Sequence, residues 1–155
     1  MKSKLQEIVA YVCSKYPHKG ELSKARLTKL VYLADWFSAL ADGKQISNID
    51  WLFNHYGPYV DDVVSSVVFS SEFSIEHELN FYGSGKDVIS YKGDDYFFNL
   101  NPREMHIIDF VINKTSSMYF NDFISYVYST YPVQANERYA QLDLVRLARE
   151  YKLSN

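Results

Sequence analysis

The side chains that most often carry out chemistry are few in this chain and lie far apart. Cys13 is the single cysteine, and the histidines are His18, His55, His77 and His106. No histidine has a second one three or four residues away, the spacing that places two metal ligands on one helix face. Cys13 sits in a helical pattern without the Gly-rich or helix-start context that activates a thiolate. The sequence predicts no metal site and a buried, unreactive thiol.

Two further patterns look like sites but have simpler explanations. Gly83-Ser84-Gly85-Lys86 resembles the end of a phosphate-binding loop, but position 80 is Asn where that loop requires glycine, and a strand pattern follows. The adjacent acids at 61–62 and 94–95 diverge on a helix or a strand, so neither pair forms an acid–base couple. The sequence therefore predicts a protein that is not an enzyme and that uses no cofactor. An unrecognised catalytic site near His55 or Cys13 is the alternative.

Composition limits the class of protein. With 155 residues, the chain is predicted to form one domain over 1–155, and 17% aromatic residues exclude disorder. The net charge of −3 argues against a surface devoted to phosphate. Residues 1–44 carry eight basic and four acidic side chains, whereas residues 45–125 carry four and twelve. A single cysteine, no leader and no long apolar run predict a cytoplasmic protein outside the membrane.

The periodicity predicts an α+β fold dominated by helices. Six helices are expected, at about 3–16, 23–41, from Pro58 to about 68, from Asn101, at 119–130 and at 138–152. The second is apolar on most sides, which predicts a central, buried helix with Ser23 as its N-cap and Gly43 past its end. Alternating residues from Ile75 to Phe81, and two later runs ending at Leu100, predict a three-stranded antiparallel meander at 73–100.

Two sequence blocks remain that fit no catalytic scheme. The first is Arg26-Leu-Thr-Lys-Leu-Val-Tyr-Leu-Ala-Asp-Trp36, and the second runs from Trp51 through His55-Tyr-Gly-Pro-Tyr59 to Val63. In order and spacing they resemble the Panacea domain, the SocA-like family of bacteria and phages. That family has a Lys-Leu-x-Lys-Leu-x-Tyr-x-Ala helix, followed by an aromatic segment that ends in Gly-Pro-Val. Arg26 stands where Lys is usual, and Tyr59 stands where Val is common.

The resemblance implies an antitoxin that neutralises a cognate toxin protein by direct binding. It also implies that some members deliver their toxin to a protease. A protease or a chaperone is therefore a further candidate partner. Other members are phage proteins with other protein targets. The motif residues are then candidates for partner binding: Lys29, Tyr32, Trp36, Trp51, His55, Tyr56, Gly57, Pro58 and Tyr59. Two interpretations stay open. These rings form an exposed patch around Gly57-Pro58, or Tyr32, Trp36 and Trp51 are core and only the others are exposed.

A DNA-binding regulator is the alternative function. The predicted order of elements, in which a helix, a turn and a second helix precede a β meander, is that of a winged-helix domain. The start of the second helix is also basic. Lys19, Lys24 and Arg26 would then contact DNA. The apolar character of that helix and the acidic segments around it argue against this, so nucleic acid is not the expected partner.

Overall fold

A computed structural model describes residues 2–79 and 82–154 and confirms the helix-dominated α+β fold. The described residues form seven α-helices and five short strands. The helices are α1 (Lys4–Lys15), α2 (Lys24–Asp42), α3 (Asp62–Ser65), α4 (Pro102–Thr115), α5 (Phe120–Tyr128), α6 (Tyr131–Gln134) and α7 (Leu144–Leu153). The strands are β1 (Trp51–Asn54), β2 (Gly57–Pro58), β3 (Phe73–Leu79), β4 (Gly85–Tyr91) and β5 (Gln141–Leu142).

Helix α2 is the centre of the fold, as its apolar sequence predicts. Thirteen of its nineteen residues are buried, and α1, α4 and α7 pack around it. The Ser23 side chain caps its first turn by accepting from the amide of Arg26. Gly43 ends it in a left-handed conformation at φ 72°, which glycine adopts without steric cost. The signals for both ends of α2 are therefore confirmed.

The flanking helices α1 and α4 begin at reciprocal capping boxes. The Ser3 side chain accepts from the Gln6 amide while the Gln6 side chain accepts from Ser3, and Asn101 and Glu104 repeat this arrangement. Each box satisfies two helix-end amides that would otherwise lack a partner. The predicted start of α4 at Asn101 is confirmed.

Two small antiparallel sheets complete the structure. Strand β1 lies between β2 and β5, with Phe53 opposite Pro58 and Trp51 opposite Leu142. Strands β3 and β4 form a hairpin, which joins the start of α2 where the Ile89 amide donates to the carbonyl of Leu22. The first sheet therefore connects residues 51–58 to residues 141–142, which are more than 80 positions later in the chain.

The prediction that Pro58 begins a helix is wrong. Gly57 and Pro58 form β2, and the helix in this region is only the single turn Asp62–Ser65. Proline lacks an amide hydrogen, so it suits an outer strand as well as the first turn of a helix. The valine-rich residues that follow have a weak helix propensity, which agrees with so short a helix.

The third strand of the predicted meander is also absent from the described residues. Residues 96–100 are irregular, because side-chain carboxylates accept hydrogen bonds from backbone amides that would pair with a neighbouring strand in a sheet. The Asp94 carboxylate accepts from the amide of Tyr96, and the Glu7 carboxylate accepts from the amide of Asn99. The β region is thus a two-stranded hairpin, and the part of its first strand predicted at Asn80 and Phe81 lies outside the described residues.

The last helix begins six residues later than predicted. The sequence predicts a start at Arg138, whereas α7 begins at Leu144 with Asp143 as its N-cap. The preceding residues are held in extended form because Gln141 and Leu142 pair with β1. No helix in residues 2–79 or 82–154 is long and apolar enough to cross a membrane.

Candidate protein-binding surface

Three of the motif aromatic residues are core residues. Tyr32, Trp36 and Trp51 expose 0%, 3% and 1% of their surface. The Tyr32 ring meets the edge of Trp51 at 5.5 Å, and its hydroxyl is 2.8 Å from that of Thr130. Since a partner cannot reach these rings, they do not form an exposed patch, and the core interpretation applies to them.

A buried carboxylate fixes the segment that leads from α2 to β1. The Asp35 side chain accepts from the amides of Ile46 and Ser47 at 3.0 and 2.9 Å, and from the indole nitrogen of Trp51 at 2.9 Å. The hydroxyl of Ser47 and the side-chain Nε2 of Gln45 also donate to it. Burial raises the pKa of Asp35 to about 6, although the Ser47 and Trp51 hydrogen bonds act in the opposite direction. Asp35 thereby places β1 and the turn after it.

The Gly57-Pro58 pair of the second block is buried, and Gly57 lies against Lys29 and Tyr128. Gly57 has φ 102°, and a Cβ there would stand 3.1 Å from the Tyr128 ring and 3.4 Å from Cε of Lys29. The ammonium of Lys29 lies 5.6 Å from the centre of the half-buried Tyr59 ring. Lys29 is 1% exposed, and burial lowers its pKa to about 8. Lys29, Gly57 and Pro58 therefore support the turn from within.

Replacing Gly57 by alanine should destabilise the protein. Alanine would be strained at this positive φ, and its methyl group would push against Tyr128, so the free energy of unfolding should fall by about 1–3 kcal/mol. Urea denaturation followed by circular dichroism measures the loss. Gly20→Ala is the matched control, since nothing lies within 4 Å of its Cβ and its φ is not positive. Equal stabilities of the two variants would contradict this account of Gly57.

The β1–β2 turn presents an exposed cluster, here called the hairpin patch: His55, Tyr56, Arg138 and Tyr139. The rings of His55 and Tyr56 lie edge to face at 4.5 Å, and 76% of Tyr56 is exposed. His55 Nδ1 is 3.2 Å from the hydroxyl of Tyr139, which is 64% exposed. Arg138 Nε donates to the carbonyl of His55 at 2.9 Å. Two distant segments thus form one surface rich in aromatic rings.

The backbone holds this patch in a defined shape. Tyr139 has φ 73°, which a bulky residue adopts only when its surroundings impose it. Its amide donates to the carbonyl of Phe53, and the Arg138 guanidinium lies 5.9 Å from the centre of the Phe53 ring. Rings fixed in this way lose little conformational entropy when a partner binds. His55 and Tyr56 were predicted from the motif, whereas Arg138 and Tyr139 were assigned to a helix and missed.

The three basic residues of the DNA alternative are engaged within the protein. Lys19 donates to the carbonyls of Cys13, Ser14 and Tyr16 at the end of α1. Lys24 forms an ion pair with Asp87 at 2.9 Å. Arg26 is only 2% exposed. These side chains therefore do not line up as a free basic row along α2.

The chemistry-bearing residues do not assemble in the part of the chain that the structure describes. There, no group of three or more His, Cys, Asp or Glu side chains could hold a metal ion. Cys13 is buried, and burial raises the pKa of its thiol to about 12, although Lys19 acts in the opposite direction. A thiol with this pKa is protonated at neutral pH and is a poor nucleophile.

Comparison with known proteins gives one match. A family model described as "Antitoxin SocA-like, Panacea domain" matches residues 27–132, which is more than half of the chain. The matched range begins within α2, contains both strands of the β1–β2 turn and the β3–β4 hairpin, and ends within α6. Arg138 and Tyr139 lie beyond it. No curated protein and no solved structure matches the chain.

Proposed function

The chain belongs to the antitoxin SocA-like, Panacea domain family, as its two sequence blocks predicted, and we propose that it binds and neutralises a toxin protein by direct contact. Neutralisation of this kind needs a binding surface and no catalytic group. We propose no enzymatic activity for the chain, and its single cysteine, Cys13, is buried and offers no accessible nucleophile. The cytoplasm, where a toxin would be made, is the expected site of action.

The observation that carries the proposal is the hairpin patch. Tyrosine and arginine are enriched among the residues that contribute most to protein–protein binding, because they bury a large area and also form hydrogen bonds. Tyr56 and Tyr139 offer such rings, and Arg138 lies beside them. The buried motif residues beneath, including Trp51 and Lys29, keep the turn in place.

Co-expression with the product of the adjacent gene tests the proposal. The wild-type chain should restore the growth of cells that produce the neighbouring protein, and the two purified proteins should form a complex. Replacing Tyr56 and Tyr139 together by alanine should weaken that complex by about 30-fold or more, since two central aromatic contacts contribute about 2 kcal/mol or more. Isothermal titration calorimetry measures the affinity, and growth measures the protection.

A matched pair of variants separates the patch from general effects. Tyr96 and Phe97 are also exposed, at 93% and 73%, and replacing both by alanine should leave the affinity unchanged. If the Tyr56/Tyr139 variant binds as well as the wild type, another surface contacts the toxin. If the neighbouring protein is not toxic, or its toxicity is unaffected by the chain, the antitoxin function itself is contradicted.

Delivery of the toxin to a protease is a second proposal, which the family membership supports. An adaptor must expose a further surface while the toxin is bound, so binding alone would not distinguish the two modes. The half-life of the toxin does distinguish them. It should shorten when the chain is present if the chain is an adaptor, and it should stay constant or lengthen if the chain only blocks the toxin.

A further inference from the structure

A cavity of about 580 Å³ lies where the first turn of α2 meets the β3–β4 hairpin and the start of α5. Its apolar wall consists of Ala25, Tyr119 and Phe120, and its charged residues are Glu21, Lys24, Arg26, Lys86 and Asp87. The rings of Tyr119 and Phe120 are 84% and 45% exposed. We call this cavity the α2 groove. Exposed rings on a concave wall offer apolar area to a partner side chain.

The helix terminus makes one side of the groove electropositive. Ser23 caps the amide of Arg26, but the amides of Lys24 and Ala25 precede it in the first turn, where no carbonyl of the helix can accept from them. A helix of nineteen residues also carries a partial positive charge at this end. An anionic group in the groove would interact favourably with both.

Arg26 is one of the residues that line the groove, and its guanidinium is buried. Arg26 Nη1 donates to the hydroxyl of Tyr16 at 2.8 Å and to the carbonyl of Met118 at 3.3 Å, while its buried Nε has no hydrogen-bond partner. The guanidinium lies 4.9 and 5.8 Å from the ring centres of Phe123 and Phe120. Among the described residues, no carboxylate forms an ion pair with it. A buried charge without a counterion is costly, and a ligand anion would reduce that cost.

The remaining charges of the groove leave an excess of positive charge. Asp87 is paired with Lys24, which leaves the cations Arg26 and Lys86 against the single acid Glu21. Lys86 is exposed and stands opposite Glu78 in the hairpin register, but no ion pair joins them in the described chain. The groove therefore matches a ligand that is apolar and negatively charged.

We propose that the α2 groove binds a segment of a partner protein in which an aromatic side chain stands next to carboxylates. The aromatic side chain packs against Ala25, Tyr119 and Phe120. The carboxylates face the first turn of α2 and Lys86. This surface is separate from the hairpin patch, and the peptide test below needs no toxin, so its outcome is independent of toxin neutralisation.

The test compares two peptides on the full chain by nuclear magnetic resonance titration. The probes are acetyl-Ser-Glu-Phe-Glu-Ser-amide and the same peptide with glutamine for both glutamates. The acidic peptide should bind about fivefold tighter or more, because two carboxylates meet the helix end and the excess cations. The largest shifts should fall on the amides of Lys24, Ala25 and Phe120.

Variants show whether the groove is responsible. Phe120→Ala should weaken both peptides at least threefold, while Lys86→Ala should weaken the acidic peptide and leave the glutamine peptide unchanged. Arg26→Met tests whether the buried charge contributes to binding of the acidic peptide. If the Arg26→Met variant does not fold, Lys86→Ala still tests whether positive charge in the groove contributes. Tyr96→Ala is the control and should bind as the wild type does. Equal affinity for the two peptides, shifts away from the groove, or no binding of either peptide would overturn the proposal.

Discussion

Replacing Asp35 by alanine should lower the free energy of unfolding by about 3–5 kcal/mol, which is a large part of the stability of a domain this size. The carboxylate accepts from five groups, and its removal leaves the amides of Ile46 and Ser47 and the indole of Trp51 buried without acceptors. Each buried, unpaired N–H costs about 1–3 kcal/mol. Urea denaturation monitored by circular dichroism measures the loss.

Two further variants isolate the cause. Asp35→Asn should be nearly as harmful as alanine, because either position of its new NH₂ group faces backbone or indole donors instead of acceptors. Asp50→Ala removes an exposed carboxylate close by and should change stability by less than about 0.5 kcal/mol. If the Asp35→Asn variant has the same free energy of unfolding as the wild type, the hydrogen bonds to Asp35 contribute little to stability.

Replacing Lys29 by methionine should have the opposite effect and stabilise the protein at pH 7. Burial lowers the pKa of Lys29 to about 8 from its ordinary value of 10.5, and this difference corresponds to a cost of about 3 kcal/mol for keeping the charged form in the fold. Methionine fills a similar volume without the charge. A gain of about 1–3 kcal/mol in the free energy of unfolding is expected at pH 7.

The stabilisation expected from Lys29→Met should depend on pH in a defined direction. Between pH 8 and 10.5 the unfolded chain binds more protons at this residue than the folded chain, so the Lys29 contribution to stability rises with pH and levels off above 10.5. The advantage of the Lys29→Met variant should therefore shrink over that interval. Lys44→Met, at an exposed lysine, should show neither the gain nor the trend. A constant difference between Lys29→Met and the wild type would contradict the burial of a charged Lys29.

The helices with strong local signals could be predicted from the sequence. Ser23 and Asn101 cap the helices whose starts they were expected to mark, because an N-cap side chain and the amides it satisfies lie within four residues. Gly43 ends α2 for a similarly local reason. Such elements need no information from distant parts of the chain.

The elements that depend on distant partners could not be predicted. Gly57 and Pro58 pair with β1, and Gln141 and Leu142 pair with the other edge of that strand, which delays α7 to Leu144. The strand expected at 96–100 is replaced by irregular chain because Glu7, more than 90 residues earlier, binds the amide of Asn99. In each case a long-range contact overrides the local pattern.

The candidate site also combines features that the local sequence determines with features that depend on distant contacts. The motif includes Tyr32, Trp36 and Trp51, which are core residues, and periodicity alone could not tell core rings from surface rings on a helix that is apolar on most sides. His55 and Tyr56 are exposed because the chain turns at these residues. Arg138 and Tyr139 join them only through contacts across β1, and nothing in their local sequence marks them.

The pairing of β1 with β5 has a consequence for the time at which the chain becomes active during its synthesis. His55 and Tyr139, which meet in the hairpin patch, are 84 residues apart. At about 5–20 residues per second, a ribosome needs roughly 4–17 s to make the intervening chain. A nascent chain therefore carries Tyr56 for several seconds before Arg138 and Tyr139 complete the surface. If this patch holds the toxin, protection begins only after the ribosome has passed Tyr139.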